Sequence, residues 1–338
     1  MPEEKLDLRS IAAAALAEDE AATNPECVLD ADIFSMSLEE HDRRYHGGCY
    51  KPGSYCAYRD WIRKYEGVDQ LLAKGSLGEL RQRMSLLEAD IKTMYANNDA
   101  IVAKQRMELG RLTIRERNNG LSADETKRRD ELQKDILRRN ELEQYVPYIA
   151  RARLFSVGRK DSHIKIGTTD GIRDDELEAF RLVAGALFPQ ELIPKNPISI
   201  FRVDNEDRAE TGGNVITIPK KAPFPKIVHE FAHIVEKANP LVRQGDIAFL
   251  DYRCRGERSV KLRDILKDKR YKDDETCRPD KFFHAYCGKN YFSKKDGRRV
   301  ATEILSMGVE LLLNDPSGFL EVDPEYFKLC SNILKGVM

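Results

Sequence analysis

Between residues 77 and 101 apolar side chains recur at alternating steps of three and four: Leu77, Leu80, Met84, Leu87, Ile91, Met94 and Ile101, with Asn98 filling one slot. That is the seam of a long packed helix. Asn118, Asn119 and Gly120 stop it, and Ser122 with Glu125 has the spacing of a capping box for the next helix. The second helix carries Leu132, Ile136, Leu142 and Val146, so residues 61–149 read as an antiparallel helical hairpin ending near Pro147. From about residue 150 the pattern mixes periods. Residues 163–168 (HIKIGT), 198–203 (ISIFRV) and 214–219 (NVITIP) have the β-branched content of strands. Leu177, Phe180, Val183, Ala184 and Leu187 share one face of a helix. Residues 239–295 show little order, as functional loops often do. Two helices close the chain, one over 301–313 and one with Asp323 as N-cap, Pro324 in its first turn and Gly336 as stop. The fold class that follows is α+β. A helix and turn-rich segment occupies 1–60, the helical hairpin 61–149, and a mixed domain 150–338.

The chain has 338 residues, of which 33% are charged and 41% apolar, enough for one good core with much solvated surface. A net charge of −1 provides no global field toward nucleic acid or anionic membrane. No apolar run approaches the roughly 20 residues of a membrane span. Acids stand at the N-terminus where a signal peptide needs bases, and the 7 cysteines are an odd number scattered along the chain. Both point to a cytoplasmic protein with reduced thiols.

The chemistry concentrates in residues 226–236, KIVHEFAHIVE. On a helix, positions four apart share a face, so His229 and His233 can bind one metal ion. Zinc is the expected metal, because imidazole nitrogen suits it. Glu230, one step around the helix, is placed to take a proton from a water on that ion. The same spacing in two core histidines satisfied by hydrogen bonds is the bland alternative, although the apolar residues around the motif fit a buried active-site helix better. Lys226, a charge just before the first histidine, is unusual for such a motif.

A catalytic zinc takes three protein ligands and keeps one open position. Glu303, in a segment otherwise rich in Ala301, Ile304, Leu305, Gly308, Leu311 and Leu312, is the best third ligand, since a carboxylate in an apolar helix needs a partner. A solvent-facing charge is the alternative there, and Glu257, Asp274, Glu275 and His284 remain open as ligands. Glu236 lies on the motif helix itself and cannot curl back to the same ion. Glu310, two turns past Glu303, could orient a ligand histidine from behind.

The motif helix, the preceding strand NVITIP and a later glutamate-bearing helix resemble the zincin metallopeptidases of the gluzincin type. More narrowly, DKFFHAYCGKNY, then ATEILSMGVELL, then DPEYF is similar to the C-terminal half of zincin-like proteins encoded by phages and prophages. The resemblance covers roughly residues 195–338. It implies a zinc metalloendopeptidase with His229, His233 and Glu303 as ligands, Glu230 as general base and acid, and Tyr286 or Tyr291 as donor to the oxyanion. Met307 stands where thermolysin-like gluzincins place an acid four residues after the glutamate ligand. NVITIP would be the edge strand receiving an extended peptide by β-addition, with an ordinary buried strand as the alternative.

Two weaker signals remain. His41, His46, Cys49 and Cys56 are ligand types for a second metal, but their spacing fits no common zinc motif and a turn-rich segment explains them as well. The hairpin's bases interleave with acids at helical spacing, which predicts a solvated face laced with ion pairs and argues against nucleic acid. The hairpin is better suited to a protein partner, to substrate positioning or to self-association. Beside the peptidase stand two other readings: a non-catalytic phage-derived assembly or interaction protein retaining the scaffold, and a protease effector acting in defence or toxicity. The intact Glu230 favours an enzyme, since a purely structural site needs no base.

Overall fold

The computed structural model describes residues 77–336, apart from 157–158, 205–207, 255–256, 280–281, 283, 294–296 and 298. The helix and turn-rich segment expected over 1–60, and with it His41, His46, Cys49 and Cys56, lies outside the described residues.

Helix α1 (Leu77–Asn119) and helix α2 (Ala123–Leu142) form the hairpin. Gly120 turns the chain at φ 74°, and Ser122 and Glu125 close the capping box reciprocally. Leu80, Met84, Leu87 and Ile91 are buried, but further along Val102 is buried and Ile101 exposed. About six turns separate Leu80 from Val102 at roughly 3.6 residues per turn. A straight helix therefore drifts off a strict seven-residue seam and presents the next residue instead. Ion pairs Arg128–Glu108, Arg129–Glu116 and Arg115–Glu125 lace the hairpin's outer faces. Pro147 does not end the helical run. A 3-10 turn at Glu143–Tyr145 leads directly into α3 (Val146–Arg153), where Pro147 sits in the first turn and loses no intrahelical hydrogen bond.

Strand β1 (Ile166–Asp170), helix α4 (Asp174–Leu187) and strand β2 (Ile198–Val203) make a parallel β–α–β unit. The first strand starts later than the sequence pattern suggests. The N–H groups of Ser162 and His163 donate to Gly185 and to the Gln190 side chain, and the ladder begins only at Lys165. Strands β3 (Glu210–Gly212) and β4 (Val215–Pro219) complete a sheet of order β1-β2-β4-β3. NVITIP is thus not an edge: β4 is paired in parallel to β2 and antiparallel to β3, and the edge on that side is β3. Ile198, Ile200, Ile216 and Ile218 alternate onto one fully buried face.

The motif helix α5 (Pro225–Ala238) touches β3 and β4 and packs most extensively on the later helix over Ile304–Asn314. Phe231 meets Phe180 and Phe188 edge-on, with centroids 5.4 Å away in each case. The stretch expected to be irregular then opens with a 14-residue helix, α6 (Pro240–Arg253). Its buried stripe is Val242, Asp246, Phe249 and Leu250, and the acid in that stripe breaks the apolar pattern that would reveal it. Short elements follow: β5 (Val260–Lys261), α7 (Leu262–Leu266), β6 (Thr276–Cys277), a 3-10 turn at Ala285–Gly288, β7 (Tyr291–Phe292) and β8 (Arg299–Ala301). The next helix, α8 (Ile304–Asn314), begins one residue after Glu303, not at residue 301. Helices α9 (Pro316–Val322) and α10 (Pro324–Leu334) end the fold, the latter capped by Asp323 and stopped at Gly336, φ 66°. The root of α1 joins the same continuous core as α4, α5, α8 and α10. Among the described residues no helix is long and apolar enough to cross a membrane.

Candidate metal centre

Pro225 starts α5 without losing a hydrogen bond, and the apolar set Ile227, Val228, Phe231, Ala232, Ile234 and Val235 buries it. That packing fixes the helix rotation and turns His229 and His233 together toward the start of α8. Glu303 waits there at the N-cap position, fully buried. Its Oε2 lies 3.3 Å from His229 Nε2 and 3.1 Å from His233 Nε2. Ligand atoms of His229, His233 and Glu303 all fall within 4.8 Å of one another.

These distances allow a test of fit. Donors set tetrahedrally around one ion at about 2.0–2.1 Å stand about 3.3 Å apart. The two nitrogen–oxygen separations agree with that value, and two imidazoles with a carboxylate form a donor set that zinc accepts. Each histidine also has an acid behind it. His229 Nδ1 is 3.0 Å from Glu310 Oε2, an ion-pair distance without the straight N–H···O line of a full hydrogen bond. His233 Nδ1 is 3.7 Å from Glu236 Oε2. Such carboxylates set which ring nitrogen carries the proton and so free Nε2 to bind a cation. Lys226 belongs to the same chain of contacts: its Nζ donates to Glu310 Oε2 at 2.7 Å, which accounts for a charge so near the motif.

Glu303 is held on several sides. Tyr291 donates its hydroxyl hydrogen bond to Oε1, and Ser306 donates to Oε2 at 2.8 Å. Thr302 ties the segment to α5, its N–H and hydroxyl donating to Glu236 Oε1 at 3.0 and 2.9 Å, while its own oxygen accepts from the N–H of Ile304. Burial would raise the Glu303 carboxyl, but His233 and His229 hold it well below the usual carboxylate range. Burial likewise works against charge on both imidazoles, yet Glu303, Glu310 and Glu236 keep them above the ordinary histidine value. Glu310 is held down at about 2 against its own burial by His229 and Lys226.

Glu230 is buried beside this cluster and does not join it. Thr211 on the edge strand donates to its Oε2 at 2.6 Å and lies 3.1 Å from its backbone oxygen. The carboxylate opens onto a cleft of about 810 Å³ that also takes in His233, Glu303, Tyr286 and Tyr291. Arg208 Nη2 lies 3.5 Å from the Tyr286 hydroxyl. Burial and the Glu303 charge push both phenols well above their usual value, so each keeps its proton.

The remaining acids and bases of the sequence stand elsewhere. Glu275 binds Arg208 and Lys289, His284 caps its own 3-10 turn, and Asp274 is exposed. Sequence reasoning missed Thr211, Arg208 and Asp246. Arg208 lies just before β3 and Thr211 within it, and a three-residue strand shows no periodicity. Asp246 is a fully buried acid with both oxygens unpartnered, pushed well up by burial and by Glu236. No family model, curated protein or solved structure matches the chain.

Proposed function

We propose that the protein is a zinc-dependent metallopeptidase of the zincin type, with His229, His233 and Glu303 as ligands and Glu230 as general base. The observation that carries this reading is the convergence of three donors, from two separated segments, at one end of a cleft that Glu230 shares. When bound, the ion would polarise the scissile carbonyl and acidify the attacking water. Glu230 takes the water's proton at Oε1, since Thr211 occupies Oε2, and then returns it to the leaving amine nitrogen. Tyr286 is the better oxyanion donor of the two candidates. Tyr291 already gives its proton to Glu303, whereas Tyr286 receives contact from Arg208 and has its own hydrogen to offer. The unpaired side of β3 provides backbone groups for an extended peptide, and Thr211 on that strand links peptide register to the base.

The test is elemental analysis of the purified chain and its Glu230→Gln variant together with a peptide-cleavage screen. Both should hold about one zinc per chain, with cleavage in the parent alone. Zinc in both without cleavage in either would overturn the catalytic reading, and His229→Ala retaining full zinc would overturn the ligand set.

A further inference from the structure

The cleft is more basic than the protein around it. Six of its lining side chains are basic and four acidic, on a chain whose net charge is −1. Three of those acids are Glu230, Glu236 and Glu303, already committed around the metal centre. Of the bases, Arg208 and Lys289 share Glu275 at 3.1 and 2.8 Å, and Arg270 pairs with Asp268 at 2.7 Å. Lys237, Arg243 and Lys272 face the cleft with no acidic partner among the described residues. For an exposed lysine that is ordinary. For Arg243 it is less so, because the residue is partly buried at the cleft wall with no counter-charge beside it.

We infer that the cleft selects acidic peptides, with Asp or Glu side chains of the substrate docking on Lys237 and Arg243. The inference rests on the peptidase reading for where the peptide lies, and on the cleft alone for its charge. Lys237 follows His233 by one helical turn on the same face, about 6 Å along the axis. An extended peptide covers about 3.3 Å per residue, so the preferred acid falls about two residues from the cleaved bond. Single-stranded nucleic acid fits the same charge less well. Base stacking needs free aromatic faces. Here Tyr271 is covered by Arg208 at 4.5 Å, and Tyr286 and Tyr291 by Lys289 at 5.0 and 4.4 Å.

Binding and cleavage separate this inference from the one beneath it. The zinc-loaded full chain carrying Glu230→Gln is titrated against a fluorescein-labelled dodecapeptide of alternating Glu and Ala, its Gln and Lys counterparts, and an oligonucleotide of equal charge. The Glu peptide should bind at least about tenfold tighter than the Gln peptide, with affinity falling as salt rises. Adding Lys237→Gln, Arg243→Gln and Lys272→Gln together should remove about tenfold of that affinity, and each alone two- to threefold, on the order of exposed ion pairs. Lys104→Gln with Lys127→Gln and Lys134→Gln, the same charge removed from the hairpin, should leave binding unchanged. Equal binding of Glu and Gln peptides, an equal loss in the hairpin control, or tighter binding of the oligonucleotide each overturns the inference. In parallel, the parent is given a proteome-derived peptide mixture and its cleavage sites are read by mass spectrometry, with acids expected within three residues of the cut. No cleavage with the Glu preference intact refutes the peptidase and upholds the acid-selecting basic cleft. Cleavage with no acidic enrichment does the reverse.

Discussion

Replacing Glu310 by Gln tests whether the acid behind His229 contributes to metal binding. The substitution keeps shape and an accepting oxygen, and removes one charge 3.0 Å from His229 Nδ1. Two full unit charges at that distance in an effective dielectric of about 20 interact by roughly 5–6 kcal/mol. A metal-bound imidazole carries only part of a positive charge at that nitrogen, and a quarter to a half of it brings the loss to about 1.4–2.8 kcal/mol. That equals about a 10- to 100-fold drop in zinc affinity, the range usual for removing a carboxylate behind a ligand histidine. Competition against a chromophoric zinc chelator at pH 7.5 measures it. Lys226→Gln is the control: it leaves Glu310 in place while freeing it from the 2.7 Å ion pair, so affinity should hold or rise slightly. If Glu310→Gln binds zinc within twofold of the parent, the Glu310–His229 contact is incidental and the account of the outer carboxylates is wrong.

The tyrosines should part company on substitution. Tyr286→Phe is expected to lower kcat by about 10²–10³ with zinc retained, the usual consequence of losing an oxyanion donor, whereas Tyr291→Phe, which frees Glu303 Oε1, should weaken zinc about tenfold; steady-state kinetics with chelator competition decides, and a reversed pattern refutes the assignment. Zinc held at about a hundredfold over its Kd should stabilise the fold by about 2.7 kcal/mol relative to the chelated protein, and an unchanged melting temperature in calorimetry would contradict the site. Asp175 is buried, yet Arg173 holds its carboxyl below 3.8. Its contribution is therefore present above about pH 4 and lost as pH falls through its depressed value, so Asp175→Asn should destabilise at neutral pH and flatten the acid limb of urea midpoints; a parallel acid limb would count against this. Gly308→Ala places a methyl 2.2 Å from Cys330 Sγ in the packed α8–α10 contact and should cost about 1–3 kcal/mol, with no measurable loss in urea unfolding as the refuting result.

What was legible in the sequence was local and periodic. The hairpin seam, the Ser122 capping box, the Asp323–Pro324 helix start and the motif helix each announce themselves within about one or two turns. So do His229, His233 and Glu230, because a helix converts a spacing of four into a shared face. Glu303 stood out by chemistry, as a carboxylate in an apolar segment. Its position at a helix start, held by Tyr291 and Ser306 and tied through Thr302 to Glu236, depends on β7 and β8 pairing just before it, and two- or three-residue strands leave no periodic trace. The edge strand was misread for a related reason. NVITIP has the stronger β pattern, and that strength reflects pairing on both sides. The edge beside it, Glu210–Gly212, is short and polar, as exposed edges tend to be. Helix α6 was hidden by Asp246, an acid on its buried stripe.

The buried acids divide into two groups, and the division bears on function. Away from the cleft, three buried acids each have an arginine: Glu176 has Arg202, Asp175 has Arg173, and Asp323 has Arg253 at 2.8 Å. Around the two histidines no arginine reaches the acids among the described residues. Glu303 relies on His229, His233, Tyr291 and Ser306, Glu236 on Thr302 and His233, and Glu230 on Thr211. Burial and the Glu236 charge push the Asp246 carboxyl well up, whereas His233 and His229 hold that of Glu303 well down. Placing ionised carboxylates in a core is costly unless a cation is close. An arginine would supply that cation as well as it does elsewhere in this fold, but it would also fill the point on which three donor atoms converge. Imidazoles stabilise the same charge, and at neutral pH they can exchange their protons for a metal ion. The choice of histidine over arginine at this one cluster supports the proposed ligand set over an ordinary buried ion pair.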